Sequence, residues 1–292
     1  MNKNIVTHSG NFHADDVFAV ATLLIVFPDA KVIRTRDASL IENADVVADV
    51  GGIYDPNRLR FDHHQIEGAG SHYNGIPYAS FGLVWKKYGE KISGSTEVAK
   101  IIEKNIVIPI DAHDNEISIN KSTFDEIKPY TFSDFLNSFV DRNTVESEVL
   151  DEIFIKLTTL TKDLILREVK KANEKIIGIN KIKKIIDLTE DKKILLLEED
   201  LPWEDCVASV KDVVYVIYPR KDGNWGLKGV RKNFDDFDLR KPLPNSWAGL
   251  GSEELKSITG VKDAIFCHKG LFMAVSKTKE GALELAKIAI SA

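Results

Sequence analysis

The chain has 292 residues, of which 43% are hydrophobic and 29% are charged, and its formal net charge is -6. This composition is that of a globular protein, and the length favours two domains over one small core. The negative charge argues against a protein that coats long duplex nucleic acid, because such binding requires cations that neutralise many phosphates. Short or single-stranded phosphate substrates are not excluded.

Cellular location is predicted from cysteine content and hydropathy. Only Cys206 and Cys267 are present, so neither a disulfide framework nor a thiolate zinc site is expected. The N-terminus enters a predicted strand without a basic leader or an apolar signal sequence, and no apolar stretch is long enough to span a bilayer. We therefore expect a cytoplasmic protein that does not interact with membranes.

Strands and helices alternate in the first part of the chain, which is typical of a mostly parallel sheet covered on both faces. A helix is expected from Asp15 to Phe27, where apolar residues recur at helical spacing before Pro28. Strands are predicted at 4–8, 31–35 and 45–50, and further helices at 79–88 and 96–108.

The second part of the chain has a different pattern. A long helical connector is predicted over 145–175, and short β-like runs separated by turns follow Gly178. These runs lie at 194–197, 213–218, 225–230, 264–267 and 272–275, and a helix at 279–290 follows them. The fold class is therefore α/β, with an N-terminal domain and connector over 1–180 and a smaller α/β domain over 181–292.

Six of the seven histidines lie before residue 114, and several of them are close to aspartates. The first group contains His8, His13, Asp15 and Asp16, at a turn between a predicted strand and helix, where open α/β sheets bind ligands. Imidazole nitrogens and carboxylate oxygens at one point suit a divalent transition ion such as manganese. The alternative is that the two acids only cap the helix.

Asp49 is the last charged residue before Gly51-Gly52, at the carboxyl end of an apolar predicted strand. That position directs a carboxylate into the crevice above the sheet. A single aspartate can bridge two metal ions, and such ion pairs hydrolyse phosphoesters. A turn aspartate without a ligand is the alternative.

In the sequence Asp62-His63-His64 an acidic residue is followed by two adjacent imidazoles. Such a polar run is unsuited to packing in a hydrophobic core. One histidine is suited to bind metal, while the other donates a hydrogen bond or a proton to a substrate. Asp62 is placed to orient a ring. An exposed polar loop is the alternative.

Asp111 and Asp114 lie three residues apart at the end of a predicted helix, where negative charge is unfavourable unless a cation compensates it. Either acid is a candidate for the remaining metal ligand. A solvated helix end would have the same pattern.

The second domain contains a basic stretch with interleaved aromatic residues, a composition that suits phosphate and base binding. We predict substrate-binding roles for Arg231 and Arg240, and a weaker one for His268 at a predicted strand end. Solvating surface lysines and core tryptophans would produce a similar pattern.

Together these groups resemble the DHH phosphoesterase superfamily and, within it, the melanocyte-proliferating-gene family of metal-dependent exonucleases. The resemblance covers nearly the whole chain. It is carried by T-H-S-G-N-F-H-A-D-D, A-D-V-G-G, F-D-H-H-Q, Y-A-S-F-G-L-V-W and D-A-H-D-N in the first domain, and by G-V-R-K-N, L-P-N-S-W-A-G-L and K-T-K-E-G-A-L in the second.

The resemblance implies two divalent metal ions, manganese first and magnesium as the alternative. It places the first ion on His8, His13 and Asp49. The second ion is placed on Asp15, Asp49, His63 and Asp111, with Asp114 as the alternative to Asp111. His64 would contact the scissile phosphate and assist the leaving group. The chain has His13 where the commoner superfamily pattern has an aspartate, and its gap after the first histidine is longer.

The resulting hypothesis is a phosphodiesterase in which a bridging hydroxide attacks phosphorus in line. Family resemblance suggests a 3′ to 5′ exonuclease on short single-stranded RNA or other oligonucleotides, and it leaves a homodimer open. The alternatives are a small-molecule phosphohydrolase acting on pyrophosphate or a nucleotide, and a metal-dependent binding protein without turnover.

Overall fold

The computed structural model describes residues 3–121, 124, 126–141, 147–233 and 238–292. Its contacts divide the chain into two compact units, Met1–Asn173 and Glu174–Ala292. This division falls within one long helix, whereas the predicted domain boundary follows residue 180.

The first unit contains a five-stranded sheet in the order β2-β1-β3-β5-β4. β1, β2, β3 and β5 are mutually parallel, and only β4 is antiparallel to its neighbour. The neighbouring residues Ile5 and Val6 point to opposite faces of the sheet, yet both are buried, so both faces are covered. The strands are β1 (Asn4–Thr7), β2 (Lys31–Arg34), β3 (Val46–Ala48), β4 (Tyr54–Asp55) and β5 (Arg60–Phe61).

Helices of the first unit follow the capping and apolar signals of the sequence. The first, α1 (Ala14–Val26), is buried from Ala14 to Leu23 and packs against α3 (Ser80–Ser93). Ser95 caps α4 (Thr96–Ile102), and its side chain accepts a hydrogen bond from the backbone N–H of Val98. The other helices are α2 (Ala38–Glu42), α5 (Ile108–Asp114), α6 (Phe132–Asn137) and α7 (Ser147–Leu188). A π-helical segment, Glu103–Val107, joins α4 to α5.

The second unit contains a sheet in the order β6-β7-β8-β10-β9, in which only β6 and β7 pair in parallel. One hydrophobic cluster packs around Tyr215 and Leu285, and another around Trp203 and Ile182. The strands are β6 (Ile194–Leu196), β7 (Tyr215–Pro219), β8 (Trp225–Gly229), β9 (Ala264–Cys267) and β10 (Met273–Ser276). The helices are α8 (Glu204–Val207), α9 (Ser252–Thr259) and α10 (Lys279–Ser291), with a 3-10 turn at Asn245–Trp247.

The predicted α/β class with two α/β parts and a helical connector is confirmed. The predicted helix over 96–108 extends to Asp114 through the π-helical segment, and the connector runs on to Leu188. The β4–β5 hairpin, α6 and α9 were not predicted. Across the described ranges, every helix is too short or too polar to cross a membrane.

Candidate metal centre

The carboxyl ends of the three central strands bring the sequence-predicted groups together. His8 follows β1, Asp49 follows β3 and His63 follows β5. Because these strands are parallel, the three residues lie at the same edge of the sheet.

One group of metal-competent atoms is formed by His8, Asp16 and Asp49, all of which are buried. The Nε2 atom of His8 lies 3.0 Å from Asp16 Oδ2 and 3.3 Å from Asp49 Oδ2. We call this group the His8 cluster. Asp16 belongs to the first group predicted from the sequence, but the ligand set implied by the resemblance does not include it.

A second group, which we call the His63 cluster, is formed by Asp15, His63 and Asp114. The Nε2 atom of His63 lies 3.2 Å from Asp114 Oδ2 and 3.4 Å from Asp49 Oδ1. The ligand atoms of each cluster lie within 4.8 Å of one another. Asp49 therefore directs Oδ2 to the His8 cluster and Oδ1 to the His63 cluster.

The backbone at Asp49 is in the left-handed region, with φ of 57°, which is uncommon for a residue other than glycine. Gly51 and Gly52 follow with φ of 93° and 68°. The Ser80 hydroxyl donates to Asp49 Oδ1 at 3.1 Å. The turn and this hydrogen bond together fix the direction of the carboxylate.

The N-terminus of α3 is capped by two acids from other helices. The N–H groups of Ser80 and Phe81 donate to the two oxygens of Asp15 at 2.9 and 2.7 Å, and Gly82 N–H donates to Asp111 at 3.1 Å. Ala79 at the cap position has no side-chain acceptor, so these acids satisfy helix donors that would otherwise be unpaired.

Electrostatics in the centre reflect a surplus of carboxylates. Burial lowers the pKa of His8, but the adjacent Asp16 and Asp49 outweigh it and raise that pKa to about 10. Burial also lowers the pKa of His63, but the effect of Asp114 and Asp49 is larger and raises the pKa to about 11. Burial raises the pKa of Asp49, but His63 and His8 hold it well below its usual range. Without metal, the histidines serve as the counter-cations.

Asp15 differs from Asp49 because, among the described residues, no histidine ion pair offsets its burial. Burial raises the pKa of Asp15 well above its usual value, and the nearby charges of Asp49, Asp114 and Asp111 raise it further. A cation at the His63 cluster would reverse this shift, because it would stabilise the ionised carboxylate.

His64 lies beside the centre with its ring oriented by Asp62. The Nδ1 atom of His64 lies 2.7 Å from Asp62 Oδ1, and the other oxygen of Asp62 accepts from Gly52 N–H at 2.5 Å. The hydrogen bond to Asp62 raises the pKa of His64. The His64 side chain is 61% exposed, so its Nε2 is accessible to a substrate.

The residues fit a divalent metal ion. Asp16 Oδ2 and His63 Nε2 are buried and have no hydrogen-bond partner, although each lies within 3.4 Å of another potential ligand atom. These side-chain atoms approach one another without hydrogen-bond geometry, which is how ligand atoms are arranged around a cation. The mixed imidazole and carboxylate set suits manganese and related ions.

His13 and Asp111 were both implied as ligands, and the structure places them elsewhere. The His13 side chain is exposed, its ring centroid lies 6.1 Å from that of His8, and its backbone N–H donates to Asp16. Asp111 instead forms a pair with His72 at 2.7 Å. Neither belongs to a metal-competent cluster of the described residues, whereas Asp114 does.

The predicted substrate residues of the second unit differ in their surroundings. Arg240 is engaged internally and donates to the backbone carbonyls of Val207, Ala208, Val210 and Val213. Arg231 lines a cavity of about 580 Å³ together with Lys228 and Lys232. His268 is exposed, and its Nδ1 accepts from Gly270 N–H at 2.9 Å.

Comparison with known proteins gives a consistent family assignment. The MYG1 exonuclease family model, described as "Uncharacterised protein family (UPF0160)", matches residues 4–290. A MYG1 protein of Chlamydia pneumoniae is 31% identical over 95% of this chain and 93% of its own length. A MYG1 protein of Dictyostelium discoideum is 29% identical over 97% and 94%. The human MYG1 exonuclease is 29% identical over 98% and 85%.

A search of solved structures matched RecJ from Thermus thermophilus, in a crystal structure with Mn²⁺. The TM-score is 0.28 and the sequence identity is 11%, over 100% of this chain and 52% of the RecJ chain.

Proposed function

The chain belongs to the MYG1 exonuclease family, and from that membership we propose that it is a metal-dependent hydrolase of phosphoester bonds. The observation that carries the proposal is the position of Asp49, whose two carboxylate oxygens face two different clusters of potential metal ligands. This is the arrangement expected of an acid that bridges two ions, the common means of phosphodiester hydrolysis.

In the proposed assignment His8, Asp16 and Asp49 hold one ion, and Asp15, Asp49, His63 and Asp114 hold the other. Asp16 and Asp114 thus take the places that family resemblance gave to His13 and Asp111. Two ions bound there would supply Lewis acidity at the phosphate oxygens and neutralise charge in the transition state.

His64 is the proposed group for proton transfer. Because Asp62 accepts the hydrogen bond at Nδ1, the exposed Nε2 is free to carry a proton towards the substrate. The raised pKa favours the protonated form of the ring, which can act as a proton donor. His64 Nε2 then donates to the scissile phosphate or to the leaving oxygen.

The finer features of the proposal follow from family resemblance and metal chemistry. They are a 3′ to 5′ direction, short single-stranded RNA or oligonucleotides as substrates, and manganese ahead of magnesium. Asp15 and Asp49 are suited to either ion, whereas His8 and His63 favour manganese.

The test is an assay of the purified protein loaded with Mn²⁺ against 5′-labelled single-stranded RNA and DNA hexanucleotides, a dinucleotide and pyrophosphate. We expect products shortened by one nucleotide at a time from the 3′ end. Asp49→Ala should lose both Mn²⁺ binding and turnover, and Asp29→Ala, an exposed acid outside the centre, should retain both.

Normal Mn²⁺-dependent hydrolysis by Asp49→Ala would refute the assignment. Cleavage of pyrophosphate alone would instead identify a small-molecule phosphohydrolase. Metal binding without turnover of any of these phosphoesters would identify a binding protein.

A further inference from the structure

Arg36 lies at the rim of the His8 cluster with most of its hydrogen-bonding capacity unused. Its Nη2 lies 3.4 Å from His8 Nδ1, and its Nε donates to the Ser9 carbonyl at 3.4 Å. Both contacts are long, and the side chain is exposed. Since a guanidinium has five N–H donors, Arg36 can accept a further anionic partner.

Two less exposed arginines of this unit are already committed. Arg34 donates to the Asp151 carboxylate and to the Gly10 carbonyl, both at 2.7 Å. Arg60 donates to three backbone carbonyls, those of Arg58, Glu42 and Ala44. In the part of the chain that the structure describes, no carboxylate forms an ion pair with Arg36, unlike Arg34.

The metal-binding tautomer of His8 leaves Arg36 with one protein acceptor among the described residues. A histidine that binds metal through Nε2 carries its proton on Nδ1, and that N–H needs an acceptor. In His8 the acceptor is the Ser9 carbonyl, 3.4 Å from Nδ1. A protonated Nδ1 cannot accept from Arg36, so in the metal-binding tautomer the guanidinium has, within the described part of the chain, only the Ser9 carbonyl as an acceptor.

The charges of the centre determine which partner this arginine would take. The two clusters contain four carboxylates, those of Asp15, Asp16, Asp49 and Asp114, whose negative charge two divalent ions would only balance. A guanidinium at the rim adds positive charge beside the centre and matches the oxygens of a phosphate group bidentately.

We propose that Arg36 binds a phosphate group of the substrate beside the His8 cluster. The inference rests on the proposed function, because it assumes a phosphoester substrate at this centre. Arg36 increases the affinity for the substrate and does not bind the metal. It therefore makes the site selective for ligands that carry a phosphate.

Two measurements test this role in Arg36→Ala, Arg36→Lys and the control Arg58→Ala. Arg58 is exposed and precedes β5, so it lies at the opposite edge of the sheet from the centre. The first measurement is the affinity of the Mn²⁺-loaded protein for adenosine 5′-monophosphate, with adenosine as the ligand that lacks phosphate. The second is the Mn²⁺ affinity, by isothermal titration calorimetry.

We expect Arg36→Ala to weaken adenosine 5′-monophosphate binding by about tenfold or more. Arg36→Lys should be intermediate, because an ammonium cannot bind phosphate bidentately. In Arg36→Ala, the affinities for Mn²⁺ and for adenosine should stay within about twofold of wild type. In Arg58→Ala, all the measured affinities should stay within about twofold of wild type. In the hexanucleotide assay, the loss should appear mainly in KM and not in kcat.

Three outcomes would overturn the inference: unchanged nucleotide affinity in Arg36→Ala, a parallel loss of Mn²⁺ affinity, or no nucleotide binding by the wild type. Absence of turnover in the wild type would contradict the proposed hydrolase function, while Arg36-dependent binding of the monophosphate would still support the phosphate site. The two failures are thereby distinguished.

Discussion

His72 Nε2 lies 2.7 Å from Asp111 Oδ2, and both side chains are buried. The other ring nitrogen of His72 lies 2.9 Å from Glu103 Oε1. Burial lowers the pKa of His72, but the two acids outweigh it and raise that pKa. The imidazole therefore neutralises Asp111, which in turn caps α3 through Gly82 N–H.

Replacing His72 with alanine should destabilise the fold strongly, because Asp111 would be left buried without its charged partner. Removal of one member of a buried ion pair costs about 3–5 kcal/mol of unfolding free energy. Urea unfolding of the metal-free protein measures this loss. Glu103→Gln should cost less, since the Glu103 side chain is 25% exposed. Equal stability of His72→Ala and wild type would show that the pair does not stabilise the fold.

Asp111 and Asp114 should respond differently to the same substitution. Asp114→Asn removes a member of the His63 cluster, so Mn²⁺ affinity should fall by at least about tenfold while stability changes little. Asp111→Asn disrupts the His72 pair and should mainly lower the unfolding free energy. Calorimetric Mn²⁺ titration and urea unfolding of both variants separate the roles. The reverse pattern would restore Asp111 as the ligand.

Strand ends were the predictable part of the centre. His8, Asp49 and His63 each follow a strand of the parallel sheet, and the rule that such ends share one edge places them together. The β4–β5 hairpin escaped prediction because its two-residue strands are too short to have a readable periodicity.

The helix residues of the centre are assigned from sequence only in part, because the implied ligand set includes Asp15, omits Asp16 and has Asp114 only as an alternative. The π-helical segment Glu103–Val107 adds backbone length before α5 and changes which face of that helix meets α1 and α3, so the orientation of Asp111 and Asp114 is not encoded in their spacing. His13 has an extended backbone at the start of α1, and its amide binds Asp16 while its ring points to solvent. Adjacent acids such as Asp15 and Asp16 are distinguished only by tertiary packing.

Metal binding should release protons, because the pKa values of His8 and His63 are raised to about 10 and about 11 in the metal-free chain. Both imidazoles are protonated at pH 8, and each must be neutral to bind metal. Calorimetry in buffers of different ionisation enthalpy should therefore detect proton release, and Mn²⁺ affinity should rise with pH up to about pH 10. No dependence on the buffer would contradict ligation by these histidines.

The same shifts predict the pH dependence of metal-free stability. A histidine whose pKa is raised on folding stabilises the protein fully below its unfolded pKa of about 6.5. That contribution is lost as pH rises through the folded values of about 10 and about 11. The unfolding free energy of the metal-free protein should thus fall between about pH 6.5 and pH 11. Urea unfolding across this range measures it, and in the metal-loaded protein the decline should be absent or reversed.

Arg34 and Arg36 are two residues apart but should differ in what they stabilise. The Arg34 guanidinium lies over the rings of Phe12 and Phe154, 5.5 and 4.5 Å from their centroids, and its side chain is 2% exposed. It holds the Gly10 carbonyl in the loop that carries His8. Arg34→Met should therefore lower the unfolding free energy by about 2–3 kcal/mol, because charge-assisted hydrogen bonds are lost. Arg36→Ala should change it by less than about 0.5 kcal/mol, since its contacts are long and exposed. Urea unfolding compares the two variants, and a similar loss of stability in both would mean that Arg36 supports the loop instead of binding phosphate.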